Sequence, residues 1–154
     1  MQMKSKRTCY EAALHLLKYR GQSESELRKK LKDREYGAAD IEETINKLKY
    51  YGYVDDESLA EDVFRAFRNR HCYGLIYIRQ KMKTRGLACP WQIPEEEEKE
   101  NARNLLAMKM KSVPAFCSDY RKSSAFLLRR GFSGSTIMHV LHELESCHGE
   151  EWME

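Results

Sequence analysis

The feature that most constrains this chain is a helical pattern that recurs along it. Shifting the sequence by 51 residues places residues 27–32 over 78–83, with apolar residues on apolar ones and, at all but one basic position, basic residues on basic ones. A shift of 96 places the apolar residues of 41–48, at helical spacing, over those of 137–144. Agreement over two helices without a gap is hard to obtain by chance. The sequence therefore predicts three copies of one helical unit.

Each unit is predicted to hold up to three short helices. Thr8 and Ser23 are each followed three residues later by a glutamate, which is the spacing of a helix-capping box. A third apolar stripe begins after Gly37, and no stretch alternates with the period of two that a strand requires. We therefore predict an all-α tandem array of three three-helix repeats, over residues 1–52, 53–94 and 95–154.

The third repeat is predicted to begin with Pro94 at the first position of a helix, because proline is favoured there. Its predicted helices span residues 95–111, 118–130 and 133–146.

The middle repeat departs from the pattern at its third helix. Polar residues occupy the positions where the shift of 51 requires apolar ones, namely Gln92, Glu96 and Lys99. Pro90 and Pro94 also interrupt this stretch. We expect the helix to be missing or reduced to about one turn, and Trp91 to fill the gap that it leaves.

Asp55 and Asp56 could be a carboxylate pair for acid–base chemistry or metal binding. Adjacent residues at the start of a helix do not converge on one ion, and no His, Lys or Ser motif accompanies them. A capping role is favoured, with Asp56 as the N-cap of the next helix and Asp55 and Glu57 complementing its dipole.

No other pattern predicts catalysis or a cofactor. His139 and His142 lie near Cys147 and His148, but this spacing matches no established zinc finger, so we expect no metal. No phosphate-binding loop, nucleophile elbow or His-Glu-x-x-His motif is present. The five cysteines are far apart and form no Cys-x-x-Cys pair, which is typical of free thiols in a reducing cytoplasm. We expect a non-enzymatic protein without cofactors.

Charge is distributed unevenly along the chain. The net charge is +4 over residues 1–52, +2 over 53–94 and −3 over 95–154. No apolar run approaches the roughly 20 residues that span a bilayer. We expect a cytoplasmic protein, with no membrane partner, whose first two thirds present a positive field.

The most basic helical pattern lies in the middle repeat. Leu75, Ile78 and Met82 form its apolar stripe, with Arg79 and Lys83 along one flank. A solvated amphipathic helix would explain this run, but further basic residues before it and in the equivalent helix of the first repeat favour an acidic partner, either DNA phosphates or an acidic protein groove. The candidate contact residues are Arg28, Lys29, Lys30, Arg65, Arg68, Arg70, Arg79, Lys81, Lys83, Arg85, Arg129 and Arg130.

The order of these pieces resembles the RecX family, regulators of the RecA recombinase. The likeness runs from about residue 12 to 144, and no single motif is diagnostic although the ordered set is specific. It includes Ser23-x-x-Glu26-Leu27-Arg28 and Phe126-Leu127-x-Arg129-Arg130. The structural signature that we associate with it comprises Asp55, Asp56, Tyr73, Gly74, Gly86, Gly131 and Phe132.

The resemblance implies a curved, elongated molecule, here expected to be a monomer. It also implies binding within the groove of the RecA–DNA filament, which would limit recombinase, ATPase and co-protease activity, with single- or double-stranded DNA contacted directly or within the filament. An alternative is a helix-turn-helix-like DNA-binding module that acts without RecA. The candidate helices offer mostly Lys and Arg, which suit phosphate contact better than base readout.

Overall fold

The chain is all-helical in the computed structural model, which describes the backbone of residues 6–151 and the side chains of residues 6–146. This confirms the predicted fold class, since no strand occurs among the described residues. The α-helices are α1 (Cys9–Tyr19), α2 (Glu24–Asp33), α3 (Ala38–Tyr50), α4 (Asp56–Asn69), α5 (Leu75–Thr84), α6 (Glu95–Ser112), α7 (Tyr120–Arg129) and α8 (Gly134–Glu151).

These helices form two compact units. Unit 1 contains the described residues up to Val63 together with Met82–Cys89, and unit 2 contains Phe64–Lys81 together with the described residues from Pro90 onwards. Helices α4 and α5 therefore contribute to both units. The division into three repeats is a different partition of the chain, and it stays a prediction.

Unit 1 is built around the packed helices α1, α2 and α3. Leu27 and Leu31 of α2 and Ile45 and Leu48 of α3 are fully buried against Ala13 of α1. Their spacing of three or four residues places each pair on one face of its helix, as the sequence predicts. The core of this unit thus follows directly from the apolar pattern.

Both predicted capping boxes are present in unit 1. The Thr8 hydroxyl accepts a hydrogen bond from the Glu11 N–H at 3.2 Å, and the Ser23 hydroxyl accepts one from the Glu26 N–H at 3.1 Å. In each box the glutamate carboxylate accepts the N–H of the capping residue in return. The starts of α1 and α2 are thereby fixed by local side chains.

The prediction that Asp56 caps α4 is wrong. The Asp55 carboxylate accepts the Ser58 N–H at 3.2 Å, and the Asp55 carbonyl accepts the Leu59 N–H at 3.0 Å, so Asp55 is the cap. Asp56 is the first residue of α4, and its carboxylate accepts the Glu24 N–H of α2 at 3.0 Å. Asp56 therefore caps α2 and not its own helix. The first N–H groups of α2 have no partner within their own helix, so they can donate to a partner from elsewhere in the fold.

Gly86 ends α5 within unit 1. Its φ is +74°, a conformation that glycine adopts at little cost, and a Cβ there would lie 2.5 Å from the Ser25 Cβ. The Ser23 hydroxyl donates a hydrogen bond to the Arg85 carbonyl just before it. The turn after α5 is therefore held against the start of α2.

Unit 2 has its core among α6, α7 and α8. Leu106, Leu127, Phe132 and Val140 are almost completely buried there. Helix α8 begins after Ser133, whose hydroxyl accepts the Thr136 N–H at 3.2 Å. These helices start close to the predicted positions.

The role of Pro94 and the start of α7 differ from the predictions. Pro94 precedes the first residue of α6 with an extended ψ of 140°, so it is the N-cap and not the first helical residue. A short 3-10 turn, Phe116–Ser118, comes before α7, whose N-cap is Asp119. The Asp119 carboxylate accepts the Lys122 N–H at 3.2 Å, which delays the start of α7 to Tyr120.

No helix occurs between Thr84 and Glu95, where the sequence allowed about one turn. Within unit 2, the half-buried Trp91 lies against Phe64 with 5.3 Å between ring centroids. Ile93 is buried, so apolar side chains cover this segment although its backbone is irregular.

A close backbone crossing organises unit 2. The Gly74 N–H donates to the Arg130 carbonyl at 2.8 Å, and the Ile76 N–H donates to the Gly131 carbonyl at 3.2 Å. A Cβ on Gly74 would lie 2.2 Å from the Gly131 carbonyl oxygen. The start of α5 and the turn after α7 can approach this closely only because both positions are glycine.

Candidate functional site

Several of the candidate cations are held by carboxylates. In unit 1, Arg28 donates from Nε to Glu42 at 2.8 Å, and Arg85 donates from Nε to Glu26 at 3.0 Å and from Nη2 to the Gly21 carbonyl at 2.9 Å. The hydrogen bond from Arg28 lowers the pKa of the Glu42 carboxyl. These two guanidinium groups join elements of unit 1, and their charge is largely offset.

The same holds for Arg68 in unit 2. Its guanidinium donates two hydrogen bonds to the Glu97 carboxylate, at 2.9 and 2.6 Å, and lowers the pKa of that carboxyl. Two parallel N–H···O bonds of this kind are both strong and geometrically specific. Arg68 therefore ties α4 to α6 and is poorly suited to bind a partner.

A second set of cations in unit 1 faces solvent. Lys29 and Lys32 are exposed on α2, on the side opposite the buried Leu27 and Leu31. Lys83 is also exposed, on α5, and none of these three lysines has an ion pair with a residue in the described part of the chain. Lys30, by contrast, donates to the Gln22 side-chain oxygen at 2.8 Å.

A third set, in unit 2, lies over aromatic rings. Lys81 Nζ is 5.4 Å from the Tyr77 centroid, and the Arg130 guanidinium is 5.6 Å from both the Tyr73 and the Phe126 centroids. The Tyr73 and Tyr77 rings are stacked at 4.2 Å with 5° between their planes. Lys109 Nζ extends the series, at 5.9 Å from Phe126. We call these six residues the cation–ring row: Lys81, Tyr77, Tyr73, Arg130, Phe126 and Lys109.

The other candidate contact residues of unit 2 lie outside the cation–ring row. Arg70 lies 5.6 Å from the Phe67 centroid, and Phe67 contacts Tyr73 edge to face at 5.8 Å. Arg79 is exposed and donates to the Trp91 carbonyl at 3.3 Å, while Arg65 and Arg129 are exposed on α4 and α7.

The sequence predicts these cations as contact residues but does not predict their aromatic partners. Lys109 was not among the candidates, because its ring partners Phe116 and Phe126 come from other elements. The spacing of four residues between Tyr77 and Lys81, and between Phe126 and Arg130, is a signal that the sequence carries.

The signature residues have structural roles in each unit. Gly74 and Gly131 form the backbone crossing, Phe132 is fully buried, and Gly86 forms the turn after α5. Asp55 and Asp56 cap α4 and α2, and Tyr73 belongs to the cation–ring row.

Two carboxyl groups near helix starts are removed from solvent, Asp56 in part and Glu98 almost completely. Burial raises the pKa of Asp56, which accepts from α2, and of Glu98 of α6, whose carboxylate accepts the Leu75 N–H of α5 at 2.6 Å. Each carboxylate accepts a backbone N–H at the start of another helix, where that N–H has no partner within its own helix. These groups are therefore explained by capping and need no catalytic role.

The described residues include no group of three or more His, Cys, Asp or Glu side chains that could hold a metal ion. His139 Nε2 lies 2.9 Å from Glu143, whereas Cys147 and His148 lie outside the described side chains. Cys9, Cys72, Cys89 and Cys117 are not joined in disulfides. None of the helices in the described range combines the length and the apolar content that crossing a bilayer requires.

Comparison with known proteins agrees with this arrangement. The family model described as "RecX, first three-helix domain" matches residues 9–48, which cover α1, α2 and most of α3. The chain is 31% identical over 145 residues to Regulatory protein RecX of Legionella pneumophila strain Corby, covering 90% of this chain and 96% of that protein. The chain belongs to the RecX family.

Other RecX relatives differ in length from this chain. Regulatory protein RecX of Stenotrophomonas maltophilia strain K279a is 33% identical over 136 residues, with 84% of this chain and 83% of the relative covered. That of Oceanobacillus iheyensis is 28% identical over 153 residues, and the chain spans only 56% of its length.

Solved RecX structures share the fold. A crystal structure of regulatory protein RecX is 25% identical with a TM-score of 0.72, covering 86% of this chain and 70% of that one. The crystal structure of RecX from Lactobacillus salivarius, at 23% identity, superposes with a TM-score of 0.73 over 89% and 94% of the two chains.

Proposed function

We propose that this protein binds the groove of the RecA–DNA filament and limits the recombinase, ATPase and co-protease activities of RecA. The observation that carries the proposal is the match to the Legionella RecX protein, which covers 90% of this chain, and so includes parts of both compact units, and 96% of that relative. A protein of this kind acts by binding and not by catalysis.

The exposed cations that form no ion pair with a carboxylate of the described residues are the best candidates for the contact. In unit 1 these include Lys29 of α2, and in unit 2 they include Arg79 of α5. A charge that is not held in an ion pair produces a stronger field outside the protein, and this field steers association with an acidic partner. Arg28, Arg68 and Arg85 are less suitable, because a partner would have to displace a glutamate from each.

The test is the ATPase rate of RecA on single-stranded DNA, with increasing amounts of this protein. We expect the rate to fall as the protein is added, because binding in the groove opposes filament growth. An unchanged rate at several-fold molar excess over filament sites would show that the proposal is wrong.

Charge-reversal variants locate the contact. Lys29→Glu and Arg79→Glu should each weaken the inhibition, since both place a negative charge on a surface expected to contact an acidic partner. Lys111→Glu is the matched control, because it makes the same charge change at an exposed position of α6. Equal effects of all three would indicate a response to net charge alone.

The alternative, a helix-turn-helix-like module acting on DNA without RecA, gives a different outcome in footprinting. It predicts protection of a defined sequence by this protein alone. The filament proposal predicts no sequence-specific protection, since the exposed side chains of α2 and α5 are mostly Lys and Arg.

A further inference from the structure

Three tyrosines of unit 1 form one exposed surface where α3 ends. Tyr50, Tyr51 and Tyr53 are 85%, 57% and 59% exposed. The Tyr50 and Tyr51 rings meet edge to face with 5.2 Å between their centroids, and the Tyr53 centroid lies 6.4 Å from that of Tyr51. We call these three residues the tyrosine patch. Contiguous exposed apolar surface is typical of an interaction site, and tyrosine is enriched among the residues that dominate binding energy.

The turn that carries the tyrosine patch is held by its own backbone. The Gly52 N–H donates to the Lys49 carbonyl at 3.1 Å, and the Tyr53 N–H donates to the Leu48 carbonyl at 2.9 Å. These hydrogen bonds, with a φ of +77° at Gly52, form a Schellman motif that ends α3. The Val54 side chain is buried directly after the patch. Because the turn is ordered before a partner binds, less conformational entropy is lost on binding.

An acidic pocket of about 360 Å³ adjoins the tyrosine patch at Gly52. Its lining consists of Glu24, Lys49, Gly52, Val54, Asp55, Asp56 and Glu57. The single ammonium group of this lining, on Lys49, lies 3.0 Å from the Glu24 carboxylate. Asp55 and Glu57 are exposed and form no ion pair with a described residue. The end of α3 adds the partial negative charge of a helix dipole, so the pocket attracts cations.

Charge decides which kind of partner suits the tyrosine patch. Nucleic acid bases stack on exposed aromatic rings, but Asp55 and Glu57 beside these rings would repel the phosphates. A lysine or arginine side chain is attracted by both features, because carboxylates and aromatic faces stabilise its cation while its methylene groups lie on the rings. This surface therefore has the opposite charge preference to the exposed Lys29, which suits an acidic partner.

We propose that the tyrosine patch and the acidic pocket form a docking site for a protein segment that bears an exposed arginine or lysine. The cation enters the pocket beside Asp55 and Glu57, and Tyr51 and Tyr53 pack against the rest of the segment. Asp56 has a separate role, since its carboxylate holds the start of α2. The site goes beyond the proposed filament regulation, and a test with a peptide alone involves neither RecA nor DNA.

The test is a nuclear magnetic resonance titration of the full, isotopically labelled chain with a short peptide of alternating arginine and glycine. The backbone N–H signals of Gly52, Val54 and Glu57 should shift, and the affinity should fall as salt rises, because exposed charges are screened. The matched probe is the same peptide with citrulline in place of arginine, which keeps the shape of the side chain without its charge. The citrulline peptide should leave these signals unchanged.

Substitutions separate the rings from the charges. Tyr51→Ser with Tyr53→Ser should weaken binding of the arginine peptide by about tenfold, since the bound side chain loses its aromatic support. Tyr19→Ser, at an exposed tyrosine of α1 outside the patch, is the matched control. Glu57→Gln should weaken binding by about threefold, and Glu43→Gln, at an exposed position of α3, is its control. Circular dichroism checks that each variant is folded.

Five results would overturn the proposal. No shift of the patch signals with the arginine peptide, equal shifts with the citrulline peptide, or equal losses in the patch and control variants would each do so. Shifts of the same signals with an oligothymidylate but not with the arginine peptide would assign the patch to nucleic acid. Shifts that depend on the concentration of the protein alone would assign it to a second copy of the chain.

Discussion

At the scale of single residues, the backbone crossing of unit 2 leaves no room for a side chain. Gly131 has a φ of +85°, and a Cβ there would lie 2.3 Å from both the Tyr77 backbone nitrogen and its Cβ. Gly74 is restricted by space alone, because a Cβ there would meet the Gly131 carbonyl. Gly131 thus combines a left-handed backbone conformation with a close contact to Tyr77. A side chain at this position could be accommodated only if the start of α5 moved.

We predict that Gly131→Ala lowers the free energy of unfolding by at least about 2 kcal/mol, because strain in φ adds to the clash with Tyr77. Urea unfolding followed by circular dichroism measures this loss. Gly134→Ala is the matched control, since a Cβ there would meet open space and alanine is the better helix former. A variant at Gly131 as stable as the control would contradict the account of the crossing.

At the scale of helices, a bidentate ion pair joins α6 to α8 within unit 2. Arg103 donates to the two carboxylate oxygens of Glu143 at 2.8 and 2.9 Å. The His139 Nε2 atom lies 2.9 Å from the same carboxylate. The hydrogen bonds from Arg103 lower the pKa of Glu143 to about 2. Because the folded-state pKa is depressed, the stability that this pair contributes is present at neutral pH and is lost as pH falls toward 2.

Glu143→Gln is therefore expected to lower the stability of the protein at pH 7. The difference from wild type should shrink between about pH 4.5 and about 2, as the wild-type carboxylate takes up a proton. Chemical unfolding at a series of pH values measures the difference. Glu145→Gln, at an exposed position of the same helix, should leave the curve close to that of wild type, and a difference for Glu143→Gln that does not change with pH would contradict the assignment.

At the scale of the whole molecule, cations divide into those that hold the fold and those that remain available. Arg85 belongs to the first class, since it reaches both Glu26 and the Gly21 carbonyl in unit 1 and is mostly buried. Lys29 belongs to the second, because it is exposed and has no ion pair with a described residue. Net charge alone does not separate the two classes.

Arg85→Gln is expected to reduce stability by about 1–2 kcal/mol, since it removes charge-assisted hydrogen bonds from a partly buried carboxylate. It should leave inhibition of RecA unchanged at a temperature where the variant is folded. Lys29→Gln should leave the stability close to that of wild type and should weaken the inhibition of RecA. Thermal unfolding and the RecA ATPase assay, run on both variants, check the division, and a loss of inhibition by folded Arg85→Gln would place Arg85 in the contact.

The helices and much of their cores could be predicted from the sequence. The capping boxes at Thr8 and Ser23 and the apolar spacing of α2 and α3 depend on residues three or four positions apart, so local periodicity contains them. The sequence also predicted the all-α class and the family. The absence of a helix between α5 and α6 agrees with the polar residues and prolines of that segment.

The partners of the charged side chains could not be predicted, because they depend on how the helices pack. Asp56 caps α2 rather than its own helix, and Arg68 and Arg85 pair with carboxylates 29 and 59 residues away in the chain. Arg130 lies instead on rings supplied by α7 and by the segment before α5. A long side chain has several possible partners, and its choice depends on which surfaces the packed helices bring together, so the sequence predicts where positive charge is but not where it remains free.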